Sequence, residues 1–178
     1  VQMIELTYYT WLIYNFTSIY YDVTFTRYFD WIISTPIMII STAVYMKYRT
    51  EKDAITPLRL FPLFLENSSP IWNILSFNWL MLLFGYLGEK KWVNRITGFI
   101  WGTIAFCISF FLLYIEFVGN DTINHYLFWF MFIFWSLYGV AYCFSYSLKN
   151  SMYNILDIFS KNFYGLFLFY EVWNASKN

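Results

Sequence analysis

Six apolar stretches, at residues 2–16, 28–48, 70–87, 96–118, 123–146 and 152–173, follow one another along the chain, most of them joined by short polar links. A helix needs about 20 residues to cross the roughly 30 Å hydrocarbon core of a bilayer, and each stretch except the first reaches or approaches that length. None alternates like a membrane strand. Backbone groups in lipid must be paired internally, so the expected architecture is an all-α transmembrane helical bundle. Composition agrees, with 60% of residues hydrophobic, 26% aromatic and 12% charged. Lys and Arg together number 11, as do Asp and Glu, and this balance gives no sign of a nucleic-acid partner. The reading is an integral, multi-pass membrane protein whose first partner is the lipid bilayer, and not an enzyme.

Ionisable residues inside such stretches are costly, and they persist where they face the bundle interior, have partners and do a job. Lys161 follows Asp157 by four residues, so the two side chains share one helix face. An amine held dry beside a carboxylate suits proton handling, ion transport, or condensation with a carbonyl compound. The second stretch holds Arg27, Asp30 and Ser34, at i, i+3 and i+7 on one face. If the two groups meet, two cations and two anions neutralise one another. Pro36 leaves a carbonyl near Ile32 without its amide partner, open to a hydroxyl or a water.

Cys107 and Cys143 read as packing residues, since no disulfide or metal spacing is present. His125 reads as a solvated loop residue. The stretch 46–69 carries Lys47, Arg49, Lys52 and Arg59 with Pro57 and Pro62, and the basic cluster favours the cytoplasmic side. Lys90, Lys91 and Arg95 in the next connection weaken that signal. Residues 54–65 are apolar enough to lie along the membrane surface, although the two prolines oppose a regular helix.

Three patterns stand in a telling order: Arg27-Tyr28-Phe29-Asp30-Trp31 running on to Thr35-Pro36, then Trp135-Ser136-Leu137-Tyr138, then Asp157 with Lys161. Together they resemble the microbial rhodopsins, and they cover the third to seventh helices of that family's seven-helix bundle. The resemblance implies all-trans retinal bound covalently to Lys161 as a protonated Schiff base. It implies Asp30 and Asp157 as counterions tuned by Arg27, and Ser34, Ser41 and Asn154 along an ion or proton path. It also implies a retinal pocket of Trp31, Thr35, Met38, Asn78, Met81, Gly85, Trp135, Tyr138 and Tyr142. Trp and Tyr rings independently suit a long, flat, apolar aldehyde.

By the same resemblance the six stretches match family helices two to seven, with the N-terminal helix missing. Residues 1–178 then form one transmembrane domain, the expectation being an N-terminal truncation of about 40 to 50 residues. Residues 49–68 form a cytoplasmic loop insertion, and the C-terminus is cytoplasmic.

Function turns on departures from the family. Ser41, eleven residues and roughly 16 Å along the helix from Asp30, stands where outward proton pumps carry a carboxylic acid, and serine has no proton to give at neutral pH. Lys149 stands where such pumps often have a release-side glutamate. Glu5, in the first stretch, is either interfacial or part of the path. Asn154 either lines a water-filled path or bonds between helices, and with a helix-two glutamate it resembles the viral channel-like branch. The leading expectation is a light-gated cation channel. The alternatives are a slow outward proton pump and a sensory photoreceptor, and a homo-oligomer is a further expected partner arrangement.

Overall fold

The computed structural model describes residues 1–19, 23–51 and 60–175. The helices are α1 (Gln2–Ile19), α2 (Val23–Thr50), α3 (Leu60–Glu66), α4 (Ser68–Glu89), α5 (Arg95–Leu113), α6 (Thr122–Tyr142), α7 (Tyr146–Asp157) and α8 (Tyr164–Ala175). A π-helical turn, Tyr114–Val118, extends α5, and another, Ile158–Phe163, joins α7 to α8. No strand occurs among the described residues. Four helical runs are long and apolar enough to cross a membrane: Val23–Thr50, Ser68–Glu89, Arg95–Val118 and Thr122–Tyr142. The last expected span is one helical run interrupted by its π-turn, and the second begins five residues earlier than its apolar stretch, because Val23 and Thr24 are themselves buried.

Pro36 sits inside α2 without ending it. The carbonyl freed at Ile32 accepts a hydrogen bond from the Trp79 indole of α4 at 3.2 Å, a side chain from another helix rather than the expected hydroxyl or water. Thr35 Oγ1 donates to the Trp31 carbonyl at 2.8 Å in the same turn. Small residues bring α4 and α5 together: a Cβ on Gly98 would stand 2.8 Å from the Phe84 carbonyl oxygen and 3.1 Å from Gly88 Cα. Ser109 Oγ of α5 adds a 3.0 Å bond to the Ile74 carbonyl.

Several expectations are corrected. Leu60–Glu66 is helical although it contains Pro62, because that proline falls in the first turn, where its missing N–H has no partner to lose. Leu63 of this helix is buried in the main core. Lys52, Pro57 and Arg59 lie outside the described residues, as does the first half of the expected surface segment. Both cysteines are exposed, so neither packs in the core. His125 is in the first turn of α6, its ring edge-on to Tyr114 at 5.9 Å, and not in a loop.

Candidate functional site

Three helices converge on Lys161. α2 contributes Asp30, whose Oδ2 accepts from Lys161 Nζ at 2.5 Å. α7 contributes Asp157, with Oδ1 3.5 Å from the same nitrogen. α1 contributes Glu5, with Oε1 3.4 Å away. All four residues are 5% exposed or less. Lys161 lies in the π-turn at Ile158–Phe163, and its carbonyl accepts from the Tyr164 amide and from Gln2 Nε2, the latter at 2.9 Å. Gly165 lies so close beneath Gln2 that any Cβ would collide with that amide.

The carboxylates differ sharply in their partners. Asp157 Oδ2 accepts from Tyr9 at 2.6 Å and from Arg27 Nη1 at 3.2 Å, and Oδ1 accepts from Tyr138 at 2.6 Å. Tyr138 in turn pairs with Ser160 Oγ at 2.7 Å. Among the described residues Asp30 accepts from Lys161 alone, and its Oδ1 has no hydrogen-bond partner. Ser34 Oγ, on the same face one turn along, and Glu5 Oε1 are likewise without a hydrogen bond. Unpaired buried polar atoms are expensive, so this corner has room in its chemistry for a proton or water.

Glu5 corrects the expected charge balance. The sequence reading paired two cations with two anions, whereas the cluster holds Arg27 and Lys161 against Asp30, Asp157 and Glu5. With all five ionised it carries one excess negative charge in a low-dielectric site, which a proton or a bound cation neutralises. Glu5 was legible by the same signal as Lys161, an ionisable residue in an apolar stretch. Tyr9, four residues later on the same face, was missed because a tyrosine in a membrane helix is unremarkable by itself.

From Arg27 the polar groups continue toward the Glu89 end. Asn154 Oδ1 accepts from Arg27 Nη2, Asn150 Oδ1 accepts from Arg27 Nε at 3.3 Å, and the Asn150 amide donates to Thr24 at 3.0 Å. Asn154 is itself exposed, so the helix contact and an open face coexist at this residue. At the end of the bundle Lys149 Nζ meets both oxygens of Glu89 at 2.7 Å, so the lysine expected in place of a glutamate is itself paired with one from α4.

On the other side of Lys161 lies an apolar cavity of about 300 Å³. Trp31, Thr35, Met38, Met81 and Gly85 line one flank, and Trp135, Tyr138 and Tyr142 the other, with Lys161 and Ser160 at one end. Trp31 is held edge-on by Tyr138 and Tyr153, at 5.5 and 5.1 Å. Asn78 donates to Thr35 Oγ1 at 2.8 Å, joining α4 to α2 at the cavity wall. Ser41 stands apart from the cluster and donates to the Met38 carbonyl at 2.9 Å. An apolar, ring-lined slot ending at a buried amine fits a long apolar aldehyde.

Residues 1–175 match the family model described as bacteriorhodopsin-like protein. A search of curated proteins finds no match. Among solved structures, the viral rhodopsin OLPVRII is similar over 95% of this chain and 77% of its own, with 30% sequence identity and a TM-score of 0.82.

Proposed function

The chain belongs to the bacteriorhodopsin-like family, and from that membership we propose a light-gated cation channel with retinal carried on Lys161. It is an integral membrane protein in contact with the lipid bilayer, with the retinal-based ion-transport or photoreceptor role of its family. The observation that carries the reading is the Lys161 amine, 2.5 Å from Asp30, on a residue that lines the aromatic cavity.

Retinal, condensed with the Lys161 amine with loss of water, supplies a light-absorbing polyene and a charge at that nitrogen which moves when light changes its shape. The protein's part is to hold that charge and direct its proton. Asp30, with one oxygen free, receives the proton from Lys161 Nζ. Asp157, fixed by Arg27, Tyr9 and Tyr138, keeps its charge and its place. The Trp and Tyr walls exclude water, and the Asn78–Thr35 bond carries movement of α2 to α4. The file Asn154, Arg27, Asn150 and Thr24 supports conduction, because its amides and hydroxyls replace water around a passing cation.

An outward proton pump is the second reading, and Glu5 is the observation that favours it. Ser41 has no proton to supply, yet Glu5 places a carboxyl 3.4 Å from Lys161 Nζ from a different helix. The basic residues Lys47 and Arg49 support a cytoplasmic location for that end of α2, and hence for the end of α8 and the loop at 49–68. Residues 1–178 then act as one transmembrane domain.

The voltage dependence of photocurrent, with all-trans retinal and defined ion gradients, tests these readings. A current that reverses near a cation's equilibrium potential supports the channel; one that stays outward at every voltage supports the pump and turns attention to Glu5. A protein that forms no visible band with retinal overturns both.

A further inference from the structure

A second charged knot closes the far end of the bundle. Arg49 lies 19 residues beyond Asp30 on α2, roughly 28 Å along the helix, so it takes no part in the retinal site. Its Nε and Nη2 donate to the two oxygens of Asp121, both at 3.0 Å, and its Nη1 is 3.8 Å from Glu171 of α8. Tyr45, one turn back on α2, donates to the same Glu171 oxygen at 2.8 Å. One guanidinium thus joins α2, α6 and α8.

The hold on α6 is on the helix itself. Asp121 is its N-cap, accepting from the Ile123 and Asn124 amides at 2.9 Å each. Asn124, fully buried, donates to the Met46 carbonyl of α2 at 3.0 Å and forms a second clip one turn inward. Deeper still, Thr42 pairs with the Tyr164 hydroxyl and touches Met131 Sδ at 3.2 Å. Below that lie Met38, Ser41 and then the Lys161 site. Along α2, these contacts with α6 and α8 therefore stand between this end and the Lys161 site. By contrast the Lys47–Glu51 pair, 2.8 Å apart and four residues apart at the end of α2, cannot tie helices together.

We propose that Arg49 is the gate residue of the cytoplasmic half: its two-pronged bond to Asp121 keeps α6 against α2 and shuts water out of the space around Ser41. This rests on the orientation and light-driven opening argued above. A lysine could not replace it fully, since an ammonium lacks the planar fork that engages both carboxylate oxygens.

The test uses the whole chain in lipid nanodiscs, with Cys107→Ala, Cys143→Ala and Ser41→Cys, and a water-soluble, membrane-impermeant maleimide as the probe, in the dark. Ser41 is half-buried, about two turns inside Arg49. Arg49→Gln is expected to label about tenfold faster than the parent, a size in keeping with coupling across one helix contact. Asp121→Asn should match it, Arg49→Lys should fall between, and Lys47→Gln should label like the parent. Equal labelling in the parent, Arg49→Gln and Asp121→Asn overturns the gate. If the parent forms no band with retinal, the retinal reading fails, while the dark labelling comparison still decides the gate.

Discussion

The two halves of the bundle on either side of Lys161 are built from different materials. Toward Glu89 the packing between helices is polar, with Arg27 hydrogen-bonded to Asp157, Tyr9, Asn154 and Asn150, and Asn150 in turn to Thr24. Toward Arg49 it is Met38, Ile39, Ala43, Met46 and Met131, almost fully buried, with the Thr42–Tyr164 contact among them. Polar groups line a path that charge can follow with little rearrangement, whereas an apolar plug must be parted first. An event at Lys161 therefore meets a hydrogen-bonded polar side and an apolar side, and the two would yield differently to it.

The comparison is most exposed at its pivot. Lys161→Ala should lose the visible band formed with all-trans retinal completely; a retained band removes the pivot and the asymmetry with it. In the polar half, Arg27→Gln leaves buried Asp157 with only the Lys161 amine, 3.5 Å away, as its cation, and a loss of about 3 kcal/mol in unfolding stability, the low end for a broken buried pair, is expected, read by chemical denaturation in detergent. A loss much below that places the half in fuller contact with water than its burial indicates. Asp30→Asn should move the dark absorption maximum to longer wavelength, because a weaker counterion lets positive charge spread along the polyene. Glu5→Gln should leave the maximum nearly unchanged if Glu5 carries the neutralising proton of the cluster; a shift as large as that of Asp30→Asn assigns the charge to Glu5.

Smaller effects probe the apolar side and its seal. Trp79→Phe removes the donor to the Ile32 carbonyl and should cost about 1 kcal/mol by thermal or chemical unfolding, the worth of a typical hydrogen bond. The smallest effect is that of acid on Asp121. Its carboxyl is held below the ordinary range by the Arg49 guanidinium, helped by the Asn124 and Ile123 amides. A lowered folded-state value means that its stabilisation is fully present above the usual carboxylate pKa of about 3.9 and is lost as pH falls through the lowered value. Between pH 5 and 8 the Asp121→Asn difference in stability should therefore be flat, and it should shrink only in stronger acid. A slope near neutrality would show that another group governs the seal.

The fold class was plain from the apolar stretches because a bilayer leaves few alternatives for backbone pairing. Lys161, Asp157, Asp30 and Arg27 could be singled out for the related reason that a charge in such a stretch needs a function to persist. The same logic applied to Glu5, yet its position near the start of a short stretch left an interfacial location equally open. Trp79, Tyr9 and Gln2 carried no signal: each is an ordinary residue in a membrane helix, and its role depends on which carbonyl or carboxylate another helix presents to it. The continuity of Leu60–Glu66 through Pro62 was hidden because helix position, and not composition, decides whether a proline is tolerated.

Periodicity and residue chemistry along one helix are local properties, so the chain's order of residues was enough to establish a membrane bundle, the faces of its helices and the amine at its centre. How many carboxylates surround that amine, which of them is saturated with donors, and whether Arg49 reaches Asp121 and Glu171 are distances between helices far apart in the chain. Those distances depend on packing, down to the close approach allowed by Gly98 and the extra residue in the π-turn at Lys161, and so they became visible only when the helices were assembled.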